Sequence, residues 1–340
     1  MLKALFSPWV NVVFVCLLAG AGPAVAGQIA AGIEYSYVDR PGGLPDDYAA
    51  PTGTSLKFLS IKAIDGSLVQ AALWQPDTKS PAETTLIVMV HGSGGNYAHA
   101  PNSTLSRSLS GNGFAALAIN TRQHDEKRNT DNFFDISRDI DAAVQTARAL
   151  GYRAIVLQGH SLGTLHVMFY AATNWGRDIK AVVLLSALGD LPWRSRYMQI
   201  QDEDKFRLLS EAALKSLREG KEQEIMPLRM RRTATQEEPL TAEHFLTYRR
   251  EETAGADGPY WIRRVPRPIL MVRDAGDGII PAFEPYTLLS SASSPGSLTP
   301  GIKYVILPDA KGPNPAGHFF ADNGEPLTQT IAGWLADQHL

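Results

Sequence analysis

The pentapeptide Gly159-His160-Ser161-Leu162-Gly163 puts a serine between two glycines, directly after the apolar run AIVLQ and directly before a helix-like segment, LGTLHVMFYAATNW. A free serine hydroxyl is a poor nucleophile. On a tight strand-to-helix turn, however, it is presented at the carboxyl end of a sheet and at the positive end of a helix, where an oxyanion can form. Such a turn strains the serine backbone and crowds its neighbours, so residues without side chains are required beside it, and Gly159 and Gly163 meet that need. The pattern alone arises by chance; the strand before it and the helix after it give Ser161 the reading of a nucleophile rather than a turn residue. A second stretch, His91-Gly92-Ser93-Gly94-Gly95, closes an earlier apolar run, TTLIVMV. Its glycines let backbone N–H groups approach a ligand, and the N–H groups of Ser93 and Leu162 are expected to form an oxyanion hole. The plainer alternative for this loop is a tight turn without chemistry.

These residues need a scaffold, and the chain alternates apolar runs with helix-like segments. SLKFLSIKAIDGSLVQAALWQP reads as a hairpin about Asp65-Gly66. TTLIVMV, GFAALAIN, AIVLQGH, IKAVVLLSA, RPILMVRD and IKYVILPDA read as strands, several of them apolar throughout, as in a sheet covered on both faces. DNFFDISRDIDAAVQTARALG spaces Phe133, Ile136, Ile140, Val144 and Ala147 along one helical face and ends at Gly151. PLTQTIAGWLADQ supplies a closing helix. Strands alternating with helices specify an α/β class with a mostly parallel central sheet flanked by helices. Between Gly189 and Arg267 the rhythm breaks into charged, helix-forming sequence without a clear strand, which is expected to form a helical cap over the sheet edge.

Through HGSGG, GHSLG, RDAGDGIIP and GHFF, in that order, the chain resembles the α/β-hydrolase superfamily, from about Ser55 to the C-terminus. The resemblance implies a Ser-His-acid triad. It points to His318 as the base and to an acid after the penultimate strand, where Asp277, followed by Ile279-Ile280-Pro281, fits the family spacing better than Asp274. It also implies a serine hydrolase, foremost a carboxylic ester hydrolase acting on a small-molecule ester through an acyl-enzyme, with no cofactor and no metal. The alternatives are a peptidase or amidase on the same scaffold and a non-catalytic binding protein. His91 and His160 are expected to pack beside the catalytic turns, and His99, His124 and His244 to lie on the surface or in loops. Trp193 and Tyr260 are candidate substrate-binding residues, or equally part of the cap core.

Composition narrows the partners. With a net charge of −3 the chain lacks the excess of Lys and Arg that nucleic-acid binders concentrate. Lys3, the apolar run Val10 to Leu18 and Ala24-Val25-Ala26 have the form of a cleaved leader, so residues 1–26 are expected to be removed and the protein secreted or periplasmic, without a stable membrane anchor. The only cysteine, Cys16, lies in that leader, which excludes disulfides and a thiol nucleophile from the mature chain. The expected organisation is a leader (1–26), an N-terminal extension (27–54), a core (55–188 and 268–340) and a cap (189–267). Basic runs in the cap, MPLRMRRTA and TYRREE, read as a solvated face or as a rim for an acidic substrate.

Overall fold

The computed structural model describes residues 33–231, 237–309 and 315–340. The expected leader lies outside the described residues. The main sheet is built from β1 (Glu34–Val38), β2 (Thr54–Lys62), β3 (Leu68–Pro76), β4 (Thr85–Val90), β5 (Ala115–Asn120), β6 (Ala154–His160) and β7 (Ala181–Leu185). After the cap, which contains the short strands β8 (Met230–Arg231) and β9 (Glu237–Glu238), come β10 (Ile269–Asp274) and β11 (Ile302–Leu307). The spatial order is β1-β2-β3-β5-β4-β6-β7-β10-β11. The strands from β5 to β11 in that order run parallel, and β1, β2 and β3 form an antiparallel wing.

Period-two alternation splits each central strand between two cores. In β4, Leu86, Val88 and Val90 face one layer while Ile87 and Met89 face the other. The first layer is covered by helices α2 (Ile136–Ala149) and α3 (Leu162–Ala172), the second by α1 (Asn102–Gly111) and by the closing helix Gly324–Asp337. Each fully buried Val, Leu or Ile side chain contributes roughly 1.5–3 kcal/mol, so the apolar strands hold the layers together. The Asp65-Gly66 turn forms as expected, with Gly66 at φ 87° and Ser67 N–H donating to Asp65 Oδ1.

Part of the expected N-terminal extension joins the sheet. Glu34–Val38 pairs antiparallel with β2 at the edge, with Tyr35 opposite Ile61. Only Tyr35 of that strand is buried, so its apolar signal is a single side chain. The insertion between β7 and β10 is mostly helical, and its longest helix, Glu203–Arg218, is capped by Asp202, whose carboxylate accepts from Lys205 N–H. It carries its own small core of Phe206, Leu209, Met230, Leu240 and Phe245. The expectation of a strandless cap is corrected by one two-residue pair, β8 with β9. A pairing that short leaves no readable alternation.

Candidate active site

Ser161 occupies the turn between β6 and α3 with φ 52° and ψ −122°, a region that costs a non-glycine residue of order 1–3 kcal/mol. Its N–H donates to the Leu185 carbonyl, and its own carbonyl accepts from Thr164 N–H and Oγ1. The glycines around it are sterically required. A Cβ on Gly159 would sit 2.4 Å from the Gly163 carbonyl oxygen, and one on Gly163 would sit 2.6 Å from the carbonyl oxygens of both Val90 and His91. A Cβ on Gly92 would lie 2.9 Å from the Ser161 Cβ, so the two glycine-bearing loops pack directly on one another.

Asp277 and His318 come from the loops that follow β10 and β11, strands parallel to β6 and β7. The loop after β10 carries Asp277, whose Oδ1 lies 3.1 Å from His318 Nδ1 and accepts the N–H groups of Ile279 (2.9 Å) and Ile280 (3.1 Å). Arg273, at the end of β10, braces this loop by donating to the carbonyls of Ile280 and Asp277, each at 2.7 Å. Burial pushes the Asp277 carboxyl up, but the His318 contact and the two backbone N–H groups outweigh it and leave it at about 2. Asp274 is bound elsewhere: Oδ1 accepts from Gly276 N–H and Oδ2 from Asn323 Nδ2. A Cβ on Gly317 would come within 2.5 Å of the Gly276 backbone, so the acid and histidine loops touch backbone to backbone.

Two further histidines hold these loops. His160 Nε2 lies 2.9 Å from the His318 carbonyl, which also accepts from Ser186 Oγ. Burial, reinforced by the neighbouring His318, pushes His160 down to about 3, which keeps it neutral and suited to donating that bond. His91 Nδ1 lies 2.7 Å from the Gly92 carbonyl while Nε2 accepts from Thr121 N–H. In a trans peptide the Gly92 carbonyl and the Ser93 N–H point in opposite directions, so the His91 contact also sets the direction of the Ser93 N–H. Burial holds His91 at about 4.

Ser93, Ser161, Leu162 and His318 all line one cavity of about 300 Å³. Trp193 and Tyr260 do not line this cavity; Trp193 lines a separate pocket with Phe283 and Glu284. The two residues are 40% and 45% exposed; Trp193 packs on Tyr197 and Phe283, and the Tyr260 ring stacks under Arg264. Their short helices begin at Asp190 and Asp257, whose carboxylates cap them by accepting from the backbone N–H of Trp193 and of Tyr260. The reading of His244 is corrected: it is fully buried, bonded to Asp131 and stacked on Tyr248. His124 pairs with its neighbour Asp125 rather than with a group of ligands. Sequence reasoning missed Asn102, Asn129 and Arg249 in the cavity wall. The sole local hint was the basic stretch TYRREE.

Among curated proteins no relative matches this chain by sequence. Solved structures do. Est1E from Butyrivibrio proteoclasticus with bound ferulic acid superposes with a TM-score of 0.61 at 20% identity, covering 81% of this chain and 96% of that one. The esterase domain of a Rhodothermus marinus protein gives a TM-score of 0.52 at 18% identity, over 82% and 97% of the two chains. The Pyrococcus furiosus esterase Pf2001 gives 0.51 at 14%, over 83% and 90%. At such identities the likeness speaks for the fold. The sequence profile described as "alpha/beta hydrolase fold" matches residues 85–311, from the first central strand through both the elbow and the Asp277 loop. With that match over well more than half its length, and with a serine elbow at the carboxyl edge of a parallel sheet, the chain belongs to the alpha/beta hydrolase fold family.

Proposed function

We propose that this protein is an exported serine hydrolase that cleaves carboxylic esters through an acyl-enzyme, with Ser161 as nucleophile, His318 as base and Asp277 as the orienting acid. The observation that carries this reading is the 3.1 Å contact of His318 Nδ1 with a buried, ionised Asp277, beside the cavity that Ser161 lines from a strained elbow. With Nδ1–H donated to the carboxylate, Nε2 is the nitrogen left to accept a proton. Ser161 Oγ attacks the ester carbonyl as its proton passes to His318 Nε2. The carbonyl oxygen becomes an oxyanion facing the N–H groups of Ser93 and Leu162, the latter at the first turn of a helix. Collapse breaks the C–O bond, and the imidazolium returns the proton to the departing alcohol. Water, deprotonated by the same imidazole, then releases the acid and restores Ser161.

Every step uses side chains and backbone already present, so the scheme calls for no cofactor. Asp277 stabilises the transient imidazolium without itself taking the proton. The cap, 189–267, is assigned the selection of substrate, since it supplies wall residues such as Leu191, Arg194 and Arg249 while the reacting groups come from the core. Esterases among the structural neighbours favour ester over amide bonds. Parallel assays with 4-nitrophenyl butyrate and the matching 4-nitroanilide test the reading. Rapid cleavage of the ester, abolished in Ser161→Ala, is expected; faster cleavage of the anilide would replace it with an amidase. Export is tested by the N-terminus of the protein recovered outside the cytoplasm, expected at Gly27.

A further inference from the structure

The cavity holds a cation that the hydrolytic scheme leaves unused. Arg249 is 6% exposed and lines the cavity from the cap. Three neutral acceptors hold its guanidinium. Nη1 donates to Ser195 Oγ and Gln199 Oε1, both at 3.0 Å, and Nη2 to Asn129 Oδ1 at 3.3 Å. Its Nε has no partner among the described residues. Arg249 ends one π-helical turn, Phe245–Arg249, and Ser195 and Gln199 belong to another, Ser195–Ile200; such turns recur at functional sites because they re-aim side chains.

Other cations of this region have direct carboxylate partners. Arg194, also in the cavity wall, pairs with Glu284, and Arg128 pairs with Glu238. Arg249 forms no ion pair among the described residues, and the stretches outside them (1–32, 232–236 and 310–314) contain no Asp or Glu. The carboxylate acting on it most strongly through space, Glu238, is held off by Asn129, whose Nδ2 donates to Glu238 Oε2 while its Oδ1 accepts from Arg249. In the same wall Asn102, 1% exposed, has neither amide atom partnered among the described residues. A buried guanidinium without a direct counter-charge is unfavourable unless a ligand brings one.

Resting on the esterase reading above, we infer that Arg249 is a specificity-determining residue that pairs with a carboxylate on the substrate, so that the ester cleaved here carries a free carboxylate away from the scissile bond. Asn102 supplies a second polar contact for the same molecule, in a wall that also includes the apolar residues Leu188 and Met230. Burial lowers Arg249 to about 10, which leaves it charged at neutral pH and able to form a charge-assisted bond. Lysine, a point charge without the planar fork, replaces it only in part.

The test compares matched ester pairs. 4-Nitrophenyl hydrogen glutarate against 4-nitrophenyl pentanoate places the carboxylate in the acyl half; 4-butyryloxybenzoate against 4-methylphenyl butyrate places it in the alcohol half. In one of the pairs the wild type should favour the anionic member by about tenfold or more in kcat/KM. Arg249→Gln should cut that ratio by a similar factor, and Arg249→Lys should retain part of it. A wild-type ratio near one in both pairs overturns the inference, as does an Arg249→Gln variant that loses both members equally, which would make Arg249 a strut of the cap. Monomethyl glutarate and benzoate provide a readout independent of turnover. One of them should raise the Tm of Ser161→Ala more than methyl pentanoate does, and Arg249→Gln in the same background should remove the effect. If no ester is cleaved, the esterase reading fails while this binding result still decides the role of Arg249. If Arg249→Gln does not fold, the wild-type ratios and the Ser161→Ala protection decide it.

Discussion

Replacing Asp277 with Asn separates the charge of the acid from its geometry. Asp277 Oδ1 accepts from three donors: His318 Nδ1 and the N–H groups of Ile279 and Ile280. An amide whose nitrogen faced those donors would set N–H against N–H three times, so the asparagine oxygen takes the Oδ1 place. Its NH2 then occupies the position of Oδ2, which is buried, has no hydrogen bond among the described residues and lies 3.8 Å from Arg273 Nη1. His318 therefore keeps its tautomer and loses only the anion beside its imidazolium. A pair of unit charges 3.1 Å apart is worth roughly 5 kcal/mol at an effective dielectric of about 20. Allowing for water and the remaining dipole, kcat on 4-nitrophenyl butyrate should fall by about 10²–10⁴-fold. Asp274→Asn instead sets an NH2 against either Gly276 N–H or Asn323 Nδ2, which costs about 1–3 kcal/mol of stability and less than roughly tenfold in kcat. Initial rates at saturating ester, with Tm by circular dichroism for both variants, decide between them. The reasoning is refuted if Asp277→Asn loses less than about tenfold while folded, or if the two variants rank in the opposite order.

Three more outcomes are expected. Gly163→Ala drives a methyl to 2.6 Å from the Val90 and His91 carbonyl oxygens, so urea unfolding should show a loss of at least about 1–3 kcal/mol together with most of the activity; wild-type stability would contradict the elbow packing. His91, His160 and His166 are held neutral in the fold at about 4, 3 and 3 by burial, below their ordinary value of 6.5, so the unfolded chain binds more protons. Their contribution is complete above pH 6.5 and lost as pH falls toward 4 and 3, so unfolding free energy should drop by several kcal/mol between pH 7 and 4, and a flat profile would count against three neutral buried imidazoles. Trp193→Ala and Tyr260→Ala, both outside the cavity, should leave the kcat/KM ratio of 4-nitrophenyl acetate to bulkier esters within about twofold of wild type, and a larger change in either would return that ring to the substrate path.

The parts of the site legible in the sequence are those whose causes are local. TTLIVMV and AIVLQGH are strands because their apolar residues fill both layers, and the glycines flanking Ser161 mark backbone contacts that forbid a Cβ. The family resemblance favours Asp277 over Asp274 by its offset from Ile279, Ile280 and Pro281, and the N–H groups of Ile279 and Ile280 bind the Asp277 carboxylate. What stayed hidden depends on distant packing. Tyr35 shows its role only once Ile61 is opposite it. His244 sits in TAEHFLTYRR, a polar stretch by composition; its burial follows from Asp131, contributed by the loop after β5. Arg249 reaches the cavity through bonds to Asn129, Ser195 and Gln199, none adjacent to it in sequence. Trp193 and Tyr260 share an aromatic type, which does not separate a pocket wall from a cap surface; the neighbours that set their packing, Phe283 and Arg264, follow from the fold.

The most direct test of the central claim is to treat the protein with a fluorophosphonate, follow loss of 4-nitrophenyl butyrate hydrolysis, and map the adduct by peptide mass spectrometry. Inactivation should track one phosphonyl group per chain on the peptide containing Ser161, with none in Ser161→Ala and the reaction slowed in His318→Ala. Full loss of hydrolysis with the adduct on another residue, or hydrolysis by folded Ser161→Ala above about a hundredth of wild type, would contradict Ser161 as the nucleophile.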